Sequence, residues 1–311
     1  MPAAENADAR LEQEIRHYQQ AIRRDPDDAR ACHRLGLLYL GRDCLEPAAA
    51  CFRRALRIRP GHLNALNCLG MTLMRQGQLS QALAYFERAL EISPVSAGIW
   101  HNFGSACKAQ GKLDQALAAY RRGIELASVQ PLMDGLMLIM NAHSLLLTLH
   151  YHPALTAGEI FAEHRAWGAR MLQKYSPLSA HPNLPDPERR LRVGYVSAVF
   201  RHHAAAFFVE PVLLAHDPTQ VEVYCYSGLS SRPDAVTRRL QARADHWREI
   251  QSLDTPAAAA LIQQDQIDIL VDLDGHTAHN RLEVFALKPA PVQVSYVGYP
   301  NTTGLGTMDY R

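Results

Sequence analysis

The sequence predicts two halves of different class, an all-α helical-repeat solenoid followed by an α/β lobe on a parallel sheet. Three observations carry this prediction. A pattern of small and aromatic residues recurs every 34 residues in the first half. A stretch with four prolines, "SPLSAHPNLPDPERR", then interrupts the chain from Ser176 to Arg190. Beyond it, short β-rich runs alternate with helical patterns.

In the repeat, small–aromatic register is kept at several positions. Leu35-Gly36, Leu69-Gly70 and Phe103-Gly104 are followed by Ala48, Ala82 and Ala116, then by Phe52, Phe86 and Tyr120, then by Ala55, Ala89 and Gly123. Pro60 and Pro94 close two units, with Ser128 in the third place, and Tyr18, Ala21 and Pro26 fit a preceding half-unit. Small residues let two antiparallel helices approach, the aromatics fill the gaps, and proline stops the second helix by lacking an N–H. The pattern resembles the tetratricopeptide repeat and places units at 29–62, 63–96 and 97–130 within a repeat region of 10–130. Such solenoids bind on the concave face. The expected groove residues are Asn67, His101 and Asn102, with His33, Arg34 and Cys68 at the corresponding places, whereas Trp100 is expected in the core. An amide side chain both donates and accepts, which suits it to a peptide backbone.

Residues 131–176 read as a helical connector with helices over Leu132–His150 and Ala157–Gln173. Its most apolar window, Leu132–Tyr151, is broken by Asp134, Asn141 and His143, which fits a buried helix rather than a membrane span. Residues 177–190 read as a linker between domains. From 191 to 311 the strands are expected at Leu191–Ser197, Val221–Ser227, His246–Ile250, Ile267–Leu273 and Val292–Gly298, with helices between them. "IDILVDL" is nearly all apolar, as a strand covered on both faces should be. The carboxyl ends of these strands bring "SAVFRHHAAA", "SGLSSRP", "DLDGHTAH" and "GYPNTTG" to one rim, where an open α/β sheet binds its ligand.

The formal charge is +1, with 32 basic and 31 acidic residues, so neither nucleic acid nor an anionic membrane is an expected partner. The six cysteines show no metal-ligand spacing and are expected as free thiols. The amino terminus has neither a basic nor an apolar region of a secretion signal, so a cytoplasmic protein is expected. The turn after the first strand reads "GYVSAVFRHH", without the glycines of a dinucleotide site. Asp272 and Asp274 at the fourth strand's end are expected to cap the following turn, and no metal site is expected at His276 and His279.

The repeats, then "LRVGYVS…F…H", then "ILVDLDGHT…R…FALKPAPVQVSYVGYPNTTG…MDYR" together resemble the protein O-GlcNAc transferases of bacterial type, glycosyltransferase family 41. The resemblance covers nearly the whole chain from residue 10. It implies a Rossmann-like lobe that forms the first half of a two-lobed GT-B enzyme. That enzyme would move N-acetylglucosamine from UDP-GlcNAc to serine or threonine hydroxyls of proteins, with inversion and without metal or cofactor. It implies that His203 and His164 are catalytic residues. Arg281, His276, Thr277, Val297, Gly298, Pro300 and Thr302 would then be loop residues of the donor and acceptor cleft. It also sets an aspartate where Val199 stands and a second histidine where Phe207 stands, and valine cannot relay a proton. The second, nucleotide-binding lobe would follow Arg311, so the chain is expected to be a fragment that binds nucleotide sugar only with that lobe. A non-catalytic repeat scaffold with a vestigial lobe is the alternative.

Overall fold

A computed structural model of the chain describes residues 2–129, 131–186 and 188–311, without the side chains of 2–8 and 131–134. Gln130, which ends the third repeat, Pro187 of the proline-rich stretch and the side chain of Asp134 lie outside the described residues. The chain forms two compact units, Met1–Thr148 and Leu149–Arg311.

The first unit is helical. After α1 (Pro2–Arg24) come the pairs α2 (Ala29–Gly41) with α3 (Leu45–Ile58), α4 (Leu63–Arg75) with α5 (Leu79–Ile92), and α6 (Ala97–Ala109) with α7 (Leu113–Val129), followed by α8 (Pro131–Leu149). The reason for the repeating glycine is steric. A Cβ added at Gly36, Gly70 or Gly104 would stand 2.5, 2.6 or 2.9 Å from the rings of Phe52, Phe86 and Tyr120. Each of these aromatics is fully buried, so glycine and ring are one packing unit made by the two helices of a pair. Helix starts are capped by Asp28, His62 and Ser96, whose side chains accept from the N–H three residues on.

The polar residues that interrupt α8 are packed within this unit. Asn141 and His143 are buried, and the Asn141 amide donates to Met137 O at 2.7 Å. Gly123 leaves the space that Asn141 occupies, since a Cβ there would lie 2.3 Å from Asn141 Oδ1. Among the described residues no helix is long and apolar enough to cross a membrane. Trp100 departs from the sequence expectation: it is half-buried rather than in the core, and its indole N–H reaches Pro94 O at 2.9 Å. Its polar edge is satisfied at the surface turn before its own helix.

The second unit begins with α9 (Ala157–Lys174), whose Thr156 and Glu159 form a reciprocal capping box. A five-stranded, fully parallel sheet follows in the order β3-β2-β1-β4-β5. Its strands are β1 (Leu191–Ser197), β2 (Val221–Ser227), β3 (His246–Glu249), β4 (Ile269–Asp272) and β5 (Val292–Ser295). Helices α10 (Ala206–Ala215), α11 (Ala235–Gln241), α12 (Thr255–Gln264) and α13 (Leu282–Ala286) connect them. Val193, Tyr195, Val223, Cys225 and Val271 bring their side chains into one core with Val209, Leu213 and Leu240 from α10 and α11.

Two boundaries differ from the sequence expectation. Residues 131–176 are not one connector: α8 up to Thr148 belongs to the first unit and α9 to the second. The cause is the buried face of α9, where His164, Trp167, Gly168 and Met171 pack within the second unit. Nor does the proline-rich stretch join two domains, because α9 and β1 on either side of it lie in the same unit. It is fastened to the base of the sheet instead. Asn183 donates to Gln266 O, Ile267 O and Asp268, and Arg189 meets Asp268 with both guanidinium nitrogens at 2.5 and 2.7 Å. Burial opposes charge on Asp268, but these donors and the Arg192 N–H outweigh it and hold the carboxyl below its ordinary range.

Candidate active site

The strand order reverses direction between β1, which leads outward to β2 and β3, and β4, which leads to β5. Loops leaving neighbouring strands on opposite sides of such a point diverge and open a crevice at the strands' carboxyl ends. A cavity of about 260 Å³ lies there, lined by Val199, Arg201 and His203 after β1, Ser230 and Ser231 after β2, and Thr277 and His279 after β4.

Its walls are held from beneath by Asp274. This buried carboxylate accepts from Ser197 Oγ and from the Ala198 N–H, both at 2.7 Å, while Ser197 Oγ accepts from the Val199 N–H at 2.9 Å. Its own carbonyl accepts from Thr277 Oγ1 at 2.9 Å, so one residue ties the turn after β1 to the loop after β4. Burial, with Asp272 nearby, pushes the Asp274 carboxyl up to about 7. Asp272 caps the turn, as expected, by accepting the N–H groups of Asp274 and Gly275.

His203 stands exposed at the rim, and its Nδ1 accepts from the Ala205 N–H at 3.3 Å. That contact leaves Nε2 with the proton in the neutral ring and turns it into the available donor. The turn carrying it is secured by Asp234, which accepts the His202 N–H at 2.7 Å and caps α11. These backbone donors bring the Asp234 carboxyl down to about 2. Val199 lines the same cavity and Phe207 is 71% exposed at the start of α10, so neither position offers a titrating group.

Of the residues singled out from the sequence, His203 and Thr277 meet in this cavity. Val297, Gly298, Pro300 and Thr302 sit on the loop after β5. Val297 has φ +56°, a left-handed conformation that is strained for a β-branched residue, and the Gly298 N–H closes a tight turn on Tyr296 O at 2.8 Å. Gly298 is required by contact as well, since a Cβ there would stand 1.8 Å from Leu273 O.

Three residues are placed differently from expectation. His164 is fully buried and His276 is 1% exposed, so neither faces the cleft. His276 Nε2 is engaged by Thr303 O at 2.8 Å, and its ring stands edge-on to Trp167. Arg281 is turned away as a strut, donating to Ile250 O, Leu253 O and Asp254 O; Ile250 O and Asp254 O also accept the Leu253 and Ala258 N–H groups, and Leu253 O takes the guanidinium at 2.9 Å. Among the described residues no group of three or more histidine, cysteine or carboxylate side chains is arranged to hold a metal ion.

In the helical unit, Asn67, His101 and Asn102 do share a cavity, of about 360 Å³, together with Asn64, Met71 and the α8 residues Met137 and Met140. Asn102 donates to Asn67 Oδ1 at 2.9 Å, which leaves the Asn67 NH2 as a donor group and the Asn102 carbonyl as an acceptor group for a peptide. Burial lowers the His101 imidazole to about 4, so it is neutral in this groove. His33 and Cys68 are buried against each other and Arg34 is exposed elsewhere, so the groove register runs through Asn67 and Asn102. The methionines of α8 were not foreseen, since they carry no local pattern, whereas Ser230 and Ser231 lie in the "SGLSSRP" segment expected on the rim.

Comparison with known proteins adds the following. The profile described as glycosyl transferase family 41 matches residues 133–311, and tetratricopeptide repeat profiles match residues 15–63 and 62–128. A curated relative from Arabidopsis thaliana, named probable UDP-N-acetylglucosamine–peptide N-acetylglucosaminyltransferase SPINDLY, is 41% identical over 170 residues, which are 53% of this chain and 18% of that protein. A second from the same plant, named as the corresponding SEC enzyme, is 40% identical over 122 residues, 39% of this chain and 12% of that protein. A solved O-GlcNAc transferase mutant from Thermobaculum terrenum superposes with a TM-score of 0.75 at 32% identity, over 97% of this chain and 53% of its own. The chain therefore spans about half of that solved chain, and its sheet unit corresponds to the first half of a GT-B fold. With the profile covering more than half of its residues, the chain belongs to glycosyltransferase family 41.

Proposed function

We propose that this chain forms the acceptor side of a protein N-acetylglucosaminyltransferase. In this reading the rim cavity would receive a serine or threonine hydroxyl of a protein acceptor, and the repeat groove, in its own unit, would bind peptide. The observation that carries this reading is the convergence of His203 and Thr277 in one cavity at the strand-order reversal. His203 Nε2–H is the donor that would orient the hydroxyl oxygen, and Thr277, Ser230 and Ser231 add further hydroxyls around it. Inversion at the sugar needs attack from the face opposite the leaving UDP, so acceptor and donor must enter from opposite walls. The donor wall, and with it the nucleotide site, belongs in this reading to the half of the solved relative that the match leaves uncovered. No metal or cofactor is assigned to the reaction, and the acceptor proton has to leave by a route other than Val199.

The second reading, a non-catalytic repeat scaffold, is favoured by Val199, which puts an isopropyl group on the cavity wall. Calorimetric titration of the chain with UDP-GlcNAc tests the division of labour. The expected dissociation constant is about 1 mM or weaker. Micromolar binding would put the donor site in this half and overturn the assignment of the two walls.

A further inference from the structure

We propose that His150, Tyr299 and His164 form a one-directional hydrogen-bond relay that positions the Tyr296–Gly304 loop, with His164 as a positioning residue. The inference rests on the proposed function only in taking that loop as part of the cleft wall. His164 Nδ1 lies 2.7 Å from Ile160 O, and a carbonyl oxygen can only accept, so Nδ1 carries the proton. In the neutral ring Nε2 is then bare, and it must accept the proton of Tyr299 OH at 2.7 Å. The same hydroxyl oxygen is 3.0 Å from His150 Nε2, and having given its only proton to His164 it accepts there. Each proton has one place, and the chain runs from the half-buried His150 through Tyr299 to the fully buried His164.

The backbone around the relay is built for this closeness. A Cβ at Gly304 would lie 2.0 Å from His164 O, and one at Gly168 would lie 1.9 Å from Gly304 O. The loop therefore rests directly on α9, with His276 Nε2 donating to Thr303 O beside it. The loop's strained Val297 turn is two residues from Tyr299, so an anchored hydroxyl fixes that turn as well.

The groups facing His164 are His150 from the turn that follows α8, His276 from the loop after β4, and Tyr299; Glu163 stands beside it on α9. Arg311 acts on His150 and Tyr151 on Tyr299. Burial, the largest influence, lowers the proton affinity of both His164 and His150. A second proton on His164 would set two donors against the Tyr299 oxygen and leave the hydroxyl proton without its acceptor. A histidine whose affinity is lowered in the fold stabilises it above the unfolded value of about 6.5 and loses that contribution as pH falls. Acid is thus expected to loosen the loop.

The test uses the whole chain with ¹⁵N-labelled histidine rings. At pH 7.5, long-range ¹H–¹⁵N spectra should show His164 protonated at Nδ1, and His150 and His276 at Nε2. Tyr299→Phe should leave His164 protonated at Nδ1, where Ile160 O holds the proton, shift the Nε2 resonance as that nitrogen loses its donor, and raise amide exchange of residues 297–304 at least about tenfold. His164→Gln, which keeps an acceptor near the Nε2 position, should retain more of that protection than His164→Ala. An Nε2-protonated or charged His164 in the unmodified chain overturns the relay even if no variant folds. Unchanged spectra and exchange in Tyr299→Phe would do the same. None of these readings requires acceptor or donor, so they stand or fall separately from the proposed function.

Discussion

Gly168→Ala is expected to destabilise the sheet unit by about 3 kcal/mol and to displace the loop after β5. The new methyl would stand 1.9 Å from Gly304 O and 2.5 Å from Gly304 C, and neither is the end of a flexible side chain. The loop backbone has to move, and Gly304 is already in close contact with α9, where a Cβ on it would stand 2.0 Å from His164 O. Gly158→Ala on the same helix is the control. Its Cβ would meet only Thr156 Oγ1, at 3.9 Å, so helix propensity should make it neutral or stabilising by up to about 1 kcal/mol. Urea unfolding of the two variants measures the contrast. Equal midpoints would mean that α9 and the loop are not in the contact described.

Asp274→Asn is expected to change how stability depends on pH. The Asp274 carboxyl holds its proton up to about pH 7 in the fold, against about 4 in an unfolded chain. Between those values the folded state binds a proton that the unfolded state has released, so native stability falls as pH rises through that window and is level above it. For an isolated group the fall is on the order of 4 kcal/mol. Asparagine removes the titration while keeping one acceptor for Ser197 Oγ or the Ala198 N–H, so the variant should gain relative to the parent from pH 4.5 to 7.5. Taking the difference between the two proteins cancels the histidines that titrate in the same range. A difference that does not vary with pH would show that Asp274 is ionised in the fold, despite its burial.

The legible parts of this molecule were those whose partners lie close in sequence. Gly36 and Phe52, Gly70 and Phe86, and Gly104 and Tyr120 are each separated by the same 16 positions, so their packing appears as a period. β1 and β2 match their sequence-derived limits because the whole apolar run is paired residue for residue. β4 is shorter than its apolar run because pairing begins only at Ile269, while Ile267 is already buried and Asp268 bonds to the base of the sheet. His164 misled for the opposite reason. Its partner Tyr299 is 135 residues away, and nothing local distinguishes a buried histidine from one lining a cleft. Arg281 likewise donates to carbonyls about 30 residues earlier, a contact that shows only once the turn after β3 is built. The rim cavity was anticipated because it depends on topology: alternating strands and helices place the loops, and the order reversal places the crevice.

The central claim is that the rim cavity receives an acceptor hydroxyl. Its most direct measurement is titration of the ¹⁵N-labelled chain with a serine-containing peptide and with the same peptide carrying alanine. The account predicts that the serine peptide shifts the amides of Val199, Ser230 and Thr277 as well as the side-chain amides of Asn67 and Asn102. The alanine peptide should shift the two asparagines and leave the rim amides largely unmoved, and His203→Ala should abolish the rim response to serine. If both peptides move only the asparagines, the chain binds peptide without presenting its hydroxyl to this cavity, and the transferase reading of the lobe is contradicted.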